Sequence, residues 1–369
     1  MRFSVERQVI SDAVTNLSRA VATKSTIPVL EGINLIAGDS CLKMLAYNLD
    51  LGMTKVIDIK CEESGSVVIN ARLFGEMLRK MSGNFVSISV DERLMCKIES
   101  SSAVFEILGM SSNDFPEMPI VDNSKKVFLP CEQLKDMVRQ TIFAIGIGDG
   151  VRPVLTGILF EIYKDVICLT AVDGYRLAIR KEKTESTGDI SFIASGKAIG
   201  EAVKIITEND KNVEIEVGKR HISINVGGYS LISRMLEGEF VNYQESMPYE
   251  FTATAKINTK QMISIIERIS LIINDQIKTP VRCKIESEKI TFSCSTAVGR
   301  ATDSCFAKTD GDKFEIGFNS KFLLDALKAT ENEEIILNFN GSLSPMIIKP
   351  IDNENFVYMV MPMRLKAES

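Results

Sequence analysis

The chain has one histidine, no tryptophan and no Cys-x-x-Cys pair in 369 residues. Each shortage closes a class of function. A zinc site or a histidine acid–base relay needs several converging ligands, and His221 has no second histidine to work with. The eight cysteines, Cys41, Cys61, Cys96, Cys131, Cys168, Cys283, Cys294 and Cys305, are scattered through expected strands and helices. That scatter predicts buried, reduced thiols instead of a redox or metal centre. The opening Met1-Arg-Phe-Ser-Val-Glu-Arg7 has no apolar signal core, and no apolar run approaches the roughly 18 residues of a membrane span. The expectation is a cytoplasmic chain with no metal, no cofactor and no membrane partner. A formal charge of −6 also speaks, before its location is known, against a polyanionic partner.

What the chain does have is a threefold repetition. Asn70-Ala-Arg-Leu-Phe-Gly-Glu-Met-Leu78, Ser195-Gly-Lys-Ala-Ile-Gly-Glu-Ala-Val203 and Asn319-Ser-Lys-Phe-Leu-Leu-Asp-Ala-Leu327 each put a capping residue before an amphipathic run, at separations of 125 and 124. Pro28, Pro153 and Pro280 open a second repeated motif at separations of 125 and 127. Units this long are too large for a solenoid and the right size for independent cores. The expected domains are 1–122, 123–249 and 250–369, with linkers at Asp122–Lys126 and Met247–Thr254.

Within each unit the apolar spacing predicts two helices. Val9, Ala13, Val14, Leu17 and Val21 form the first stripe, matched by Leu134, Met137, Val138, Thr141 and Ile142 and by Met262, Ile265, Ile266, Ile269 and Ile273. The second helices repeat the pattern at Phe74, Met77, Leu78 and Met81, at Ile199, Ala202, Val203 and Ile206, and at Leu323, Ala326, Leu327 and Thr330. Between them lie period-two stretches such as Phe85–Val90, Val213–Val217, His221–Val226 and Glu334–Phe339. The fold class is therefore α+β, three repeated domains of two helices packed on antiparallel sheet.

The charge is unevenly placed. Six helical segments, 6–24, 70–81, 131–143, 195–206, 258–273 and 319–330, together carry +6, which leaves −12 for the rest of the chain. Lys and Arg on one helix commonly line a solvated face. A positive excess in five of the six segments points further, to basic helices that hold a polyanion without reading it, because phosphate contact is sequence-independent. None of these helices carries the Asn, Gln and Arg cluster of base readout.

Several longer segments then match a known family in its order: Ile27-Pro-Val-Leu-Glu-Gly-Ile-Asn-Leu35, Asp114-Phe-Pro-Glu-Met-Pro119, Arg152-Pro-Val-Leu-Thr-Gly-Ile-Leu-Phe160, Leu169-Thr-Ala-Val-Asp-Gly-Tyr-Arg-Leu-Ala178, Ser233-Arg-Met-Leu-Glu-Gly-Glu-Phe240 and Val360-Met-Pro-Met-Arg-Leu365. Through them the whole chain resembles the bacterial sliding clamps, the β subunits of DNA polymerase III. The resemblance implies a homodimeric, six-domain ring closed head to tail around double-stranded DNA, a processivity factor without chemistry of its own. It implies as partners a second copy, the DNA polymerase III alpha subunit, the clamp loader delta subunit and other proteins carrying clamp-binding motifs.

The same resemblance implies a peptide-binding cleft between the second and third domains. Its residues here are Leu155, Val172, Gly174, Tyr175, Arg176, Leu177, Val241, Met247, Leu343, Val360, Met361, Pro362, Met363, Arg364 and Leu365. Methionines at such a mouth suit a surface that accepts several partners, although Met361 and Met363 also read as an ordinary terminal strand. Val172 and Tyr175 stand where relatives vary, and Val241 and Pro345 depart from the expected rim. The implied DNA contacts are Lys24, Arg72, Arg79, Arg152 and Lys197, with Pro153 and Val154 where some relatives carry aromatic residues. The implied dimer interface sets Phe105 and Ile107 on an edge strand against Ile272 and Ile273.

Two other readings stay open at this point. An enzyme would draw on Asp173, Tyr175 and Arg176, or on Ser195 and Lys197, but no Gly-x-Ser-x-Gly elbow, Walker loop or second carboxylate accompanies them. A three-domain scaffold would bind proteins and never encircle DNA.

Overall fold

A computed structural model describes residues 1–122, 124–185, 188–248, 250–274 and 279–365. The expected domain limits at 123 and 249, one residue of each expected linker, and the final residues 366–369 lie outside that set. Among the described residues six α-helices carry the repeated stripes: α1 (Arg7–Leu17), α2 (Ala71–Lys80), α3 (Cys131–Arg139), α4 (Gly196–Ile205), α5 (Thr259–Ser270) and α6 (Ser320–Ala329). Asn70 caps α2 by accepting from the Leu73 N–H at 3.1 Å, and Asn319 caps α6 by accepting from Lys321 and Phe322. Asn258 does the same for α5 through Gln261, a cap the repeat did not single out.

The first helices are shorter than their apolar spacing predicts. α1 gives way to a 3-10 turn at Ser18–Ala20 and α3 to one at Ile142–Ala144. The stripe of α1 is also shifted: Ile10 is fully buried while Val9 is exposed, because Ile10, Ala13, Val14 and Leu17 are the set that meets the sheet. Each such aliphatic side chain taken out of water contributes roughly 2 kcal/mol, which favours the larger isoleucine inside. Five cysteines are buried, Cys61 and Cys168 half-buried, and Cys41 exposed at the start of its strand, contrary to the expectation of uniformly buried thiols. None of the described helices is long and apolar enough to cross a membrane.

The chain forms two compact units that divide the middle third between them. The first comprises Met1–Cys131 with Lys197–Met235. It holds a five-stranded antiparallel sheet in the order Lys60–Glu63, Arg2–Glu6, Phe85–Val90, Met95–Ser100, Ala103–Leu108. Its second sheet has eight strands, Lys125–Pro130, Asn212–Val217, His221–Val226, Tyr229–Arg234, Leu51–Asp58, Cys41–Tyr47, Gly32–Gly38 and Gly65–Asn70. The strands of the first and middle thirds meet where Leu51–Asp58 pairs with Tyr229–Arg234. α1 packs on Cys41–Tyr47, Leu51–Asp58 and α2.

The second unit comprises Glu132–Gly196 with Leu236–Ser369. Its larger sheet runs Ile190–Ser195, Gly157–Tyr163, Val166–Val172, Arg176–Lys183, Phe356–Val360, Met346–Pro350, Glu334–Phe339, Ala253–Asn258, Lys308–Gly311. Here the middle and last thirds meet where Arg176–Lys183 pairs with Phe356–Val360. A four-stranded sheet, Arg300–Phe306, Lys289–Ser295, Val281–Glu286, Glu315–Phe318, is packed against α5. The division follows from the pairing: the middle third gives four strands to each neighbour, so neither of its sheets is its own.

Candidate functional site

Where the middle and last thirds share a sheet, one row of directly opposed residues is wholly apolar: Val172, Leu177, Met359 and Ile347. Direct partners in antiparallel strands share a face, and these four join Ile179 in a buried cluster. Leu155, Val241, Met247 and Met361 lie half-buried on it, with Phe240, Tyr243 and Phe251 alongside. Leu155 also touches a smaller cluster of Val154, Leu159 and Ile193. The structure thus gathers Leu155, Val172, Leu177, Val241, Met247 and Met361 in one place. Sequence reasoning missed Ile179, Ile347 and Met359; a period-two step from Leu177 and from Met361 signals Ile179 and Met359, whereas Ile347 joins the row only by pairing with Met359.

Arg176 and Val360 oppose each other one residue out of step, so they face the other side of the sheet. Leu177 and Val360 are fully buried. Gly174 and Tyr175 make the turn of the hairpin. Asp173 Oδ1 accepts from the Tyr175 and Arg176 N–H groups at 2.9 and 3.0 Å, and Gly174 takes a φ of +90°, a conformation that glycine adopts freely. Tyr175 is 64% exposed and stacks on Phe322 of α6, centroids 6.0 Å apart.

The Arg176 guanidinium is only 6% exposed. It donates to Asp173 Oδ2 at 3.0 Å and to Asp325 of α6, and lies 4.6 Å from the Phe322 ring centroid. This node ties the hairpin to α6. Asp325 carried a signal in the sequence, since it follows Glu76 and Glu201 at separations of 125 and 124.

The C-terminal tail leaves its strand beside this hairpin. The Met361 N–H donates to the Tyr175 carbonyl and the Met363 N–H to the Gly317 carbonyl, both at 2.8 Å. Gly317 is required by close approach, as a Cβ there would lie 2.9 Å from the Met363 carbonyl oxygen. Pro362 and Met363 are half-buried and Arg364 exposed. Leu343 stands 77% exposed in the turn before Met346–Pro350.

The corresponding row in the first unit reads Tyr47, Gly52, Ile232 and Ser223. Gly52 occupies the position of Leu177 and leaves a hole, and the hole is filled: its ideal Cβ would lie 2.4 Å from Met118 Cε. Thr54 Oγ1 donates to the Met118 sulfur at 3.8 Å. Met118 of the Asp114–Pro119 segment therefore occupies, in the first junction, the place that stands over the apolar row in the second.

Lys24, Arg72, Arg79, Arg152 and Lys197 are all exposed. Arg72 pairs with Glu76 along α2 at 3.1 Å. Phe105 and Ile107 are half-buried on the edge strand Ala103–Leu108, whose alternate residues Val104 and Leu108 are exposed. Ile272 and Ile273 follow α5, half-buried.

Glu201 on α4 binds Lys204 at 2.8 Å and Arg19 at 3.0 Å. Burial pulls its carboxyl upward, but the hydrogen bonds from Lys204 and Arg19 outweigh it and hold the group below its ordinary 4.5. A depressed carboxyl stabilises the fold above the ordinary value and loses that contribution as pH falls through its folded value. The Glu201→Gln variant is therefore expected to trail the native chain in urea midpoint at pH 7, with the gap closing below about pH 4.5.

The DNA polymerase III beta subunit profiles match in chain order: the N-terminal domain over residues 1–119, the central domain over 128–242 and the C-terminal domain over 244–364. The beta sliding clamp of Bacillus subtilis is 28% identical over 377 residues, which span 99% of this chain and 100% of the relative. That of Staphylococcus epidermidis is 28% identical over 375 residues, 99% of each. Among solved structures, the DNA polymerase sliding clamp from Bacillus subtilis superposes with a TM-score of 0.95 at 27% identity, covering 99% of this chain and 100% of that one. A putative DNA polymerase III beta subunit from Eubacterium rectale gives 0.94 at 29%, covering 98% and 99%. With three clamp domains matched in order along nearly its whole length, the chain belongs to the DNA polymerase III beta subunit family.

Proposed function

We propose that two copies of this chain close head to tail into a ring around duplex DNA, and that the ring tethers replication enzymes as a processivity factor with no chemistry of its own. The observation that carries this reading is an unfinished sheet. In each junction the second strand of one domain's hairpin pairs with the last strand of the next: Leu51–Asp58 with Tyr229–Arg234, and Arg176–Lys183 with Phe356–Val360. The third such pair has its two members on the outer edges of the smaller sheets, Arg300–Phe306 and Ala103–Leu108. Unpaired edges invite another chain, and closure between two copies uses both, with Phe105, Ile107, Ile272 and Ile273 at the joint.

On this reading the domains run 1–122, 123–249 and 250–369, and the duplex is held by Arg72 and Arg79 of α2 and Lys197 of α4, together with Lys24 and Arg152 in the loops beyond α1 and before Gly157–Tyr163. Such contacts are loose, sequence-independent and weakened by salt. The apolar row under Leu155, Val172, Val241, Met247 and Met361 receives peptide motifs of the DNA polymerase III alpha subunit, the clamp loader delta subunit and other motif-bearing proteins in the cytoplasm. Two clefts per ring let partners exchange at high effective concentration.

Loading by a clamp-loader ATPase onto nicked circular DNA, followed by linearisation, tests the ring. The expected result is retention on circles at a salt concentration that abolishes direct binding, and release once free ends exist. A scaffold that never encircles DNA would treat circles and linear duplexes alike. Light scattering is expected to give a mass near twice 40.9 kDa.

A further inference from the structure

The repeat fixes more than which edges meet. The hairpins end on Tyr47 opposite Gly52, Val172 opposite Leu177 and Ser295 opposite Arg300. Gly52, Leu177 and Arg300 are therefore the same position in the three domains. The incoming strands begin their pairing with their own neighbours at Ser100 opposite Ala103 and at Val226 opposite Tyr229, so Glu106 corresponds to Ile232. Ile232 opposes Gly52, and Met359 opposes Leu177. Extending the series, we infer that in the dimer Arg300 of one copy directly opposes Glu106 of the partner subunit, and that this cross-strand ion pair sets the register of the closing sheet.

The side chains suit the assignment. Both are exposed at the edges of their sheets, and among the described residues neither has an ion-pair partner. Along the same row stand Ser295 next to Arg300 and Lys97 next to Glu106. The row is thus apolar at the second junction, filled by Met118 at the first and charged at the third. A register slip of one residue would carry Glu106 to the opposite face of the sheet. Opposite charges placed directly across a ladder stabilise pairing and like charges oppose it, so the pair selects one alignment of two otherwise plain edges. The register also sets Val104 opposite the partner's Thr302, as Ser230 stands opposite Thr54.

The inference rests on the head-to-tail reading, and sedimentation of the native chain tests that reading first: a native monomer ends both. Given a native dimer, Arg300→Glu and Glu106→Arg are each expected to weaken self-association at least about tenfold. The combined variant, with the charges exchanged, is expected to recover most of the loss. Single variants that dimerise like the native chain, or a double variant no better than the singles, would overturn the pair. Should a charge variant fail to fold, cysteines decide the register without it. In a Cys41→Ser background, Val104→Cys with Thr302→Cys should oxidise to a covalent dimer, whereas Val104→Cys with Ser304→Cys should not. The reverse outcome overturns the register.

Discussion

Met361→Asp is expected to weaken binding of a synthetic peptide carrying the clamp-binding motif of the DNA polymerase III alpha subunit by about a hundredfold or more, the loss typical of a central anchor. The thioether of Met361 lies on the cluster of Val172, Leu177, Ile179, Ile347 and Met359. A carboxylate there would either be desolvated by the incoming peptide or hold water over the apolar row, and both oppose binding. The backbone of the tail is tied independently, through Met361 to Tyr175 and Met363 to Gly317, so the variant should keep its fold and its oligomeric mass. Titration calorimetry reads the affinity and light scattering the mass. Undiminished peptide binding would remove the cleft from this position. Met363→Asp should have the smaller effect, because Met363 is held to Gly317 and not to the cluster.

The second large effect is expected from Arg176→Ala, with a loss of about 3 kcal/mol from the second unit, as for breaking a buried ion pair from one side. The substitution leaves Asp173 and Asp325 facing each other without their shared cation and removes the guanidinium from the Phe322 face. Asp325 is 31% exposed and can be partly rehydrated, which places the cost at the lower end of the range. Arg176→Lys should recover only part of it, since an ammonium is a point charge that cannot reproduce the two-armed geometry. Thermal unfolding of the full chain checks the stability. The variant should also weaken the peptide, because Arg176 steadies the turn whose Tyr175 carbonyl receives Met361. A native-like melting curve would show that the node carries no stability.

The two predictions differ in how readable their residues are from the chain. Met361 sits in a motif, Val360-Met-Pro-Met-Arg-Leu365, whose position is plain in the sequence while its neighbours Ile347 and Val172 lie 14 and 189 residues away. Arg176 reads as a polar residue in a turn, and nothing local predicts that its side chain is buried between a hairpin and α6. Its partner Asp325 was detectable only as the repeat mate of Glu201, a carboxylate that likewise binds an arginine, Arg19. Met118 shows the limit most clearly. In the sequence it is one methionine of the segment Asp114-Phe-Pro-Glu-Met-Pro119, and only the register across Gly52 reveals that it fills the hole left by a missing side chain.

The amino-acid sequence by itself determined the three units, their six helices and the basic bias of those helices, because periodicity, capping and charge are properties of short segments. It misplaced helix ends and the face of α1 by a residue or a turn, since those margins depend on what the helix packs against. The tertiary structure decided that the middle third lends four strands to each neighbour, that the second junction is apolar while the first is filled from within, and that the third pair of repeated strands, Arg300–Phe306 and Ala103–Leu108, stays at the edges of two separate sheets. Those facts depend on which distant strands pair and in what register, and a ladder bond between residues 180 positions apart leaves no trace in the spacing of either strand.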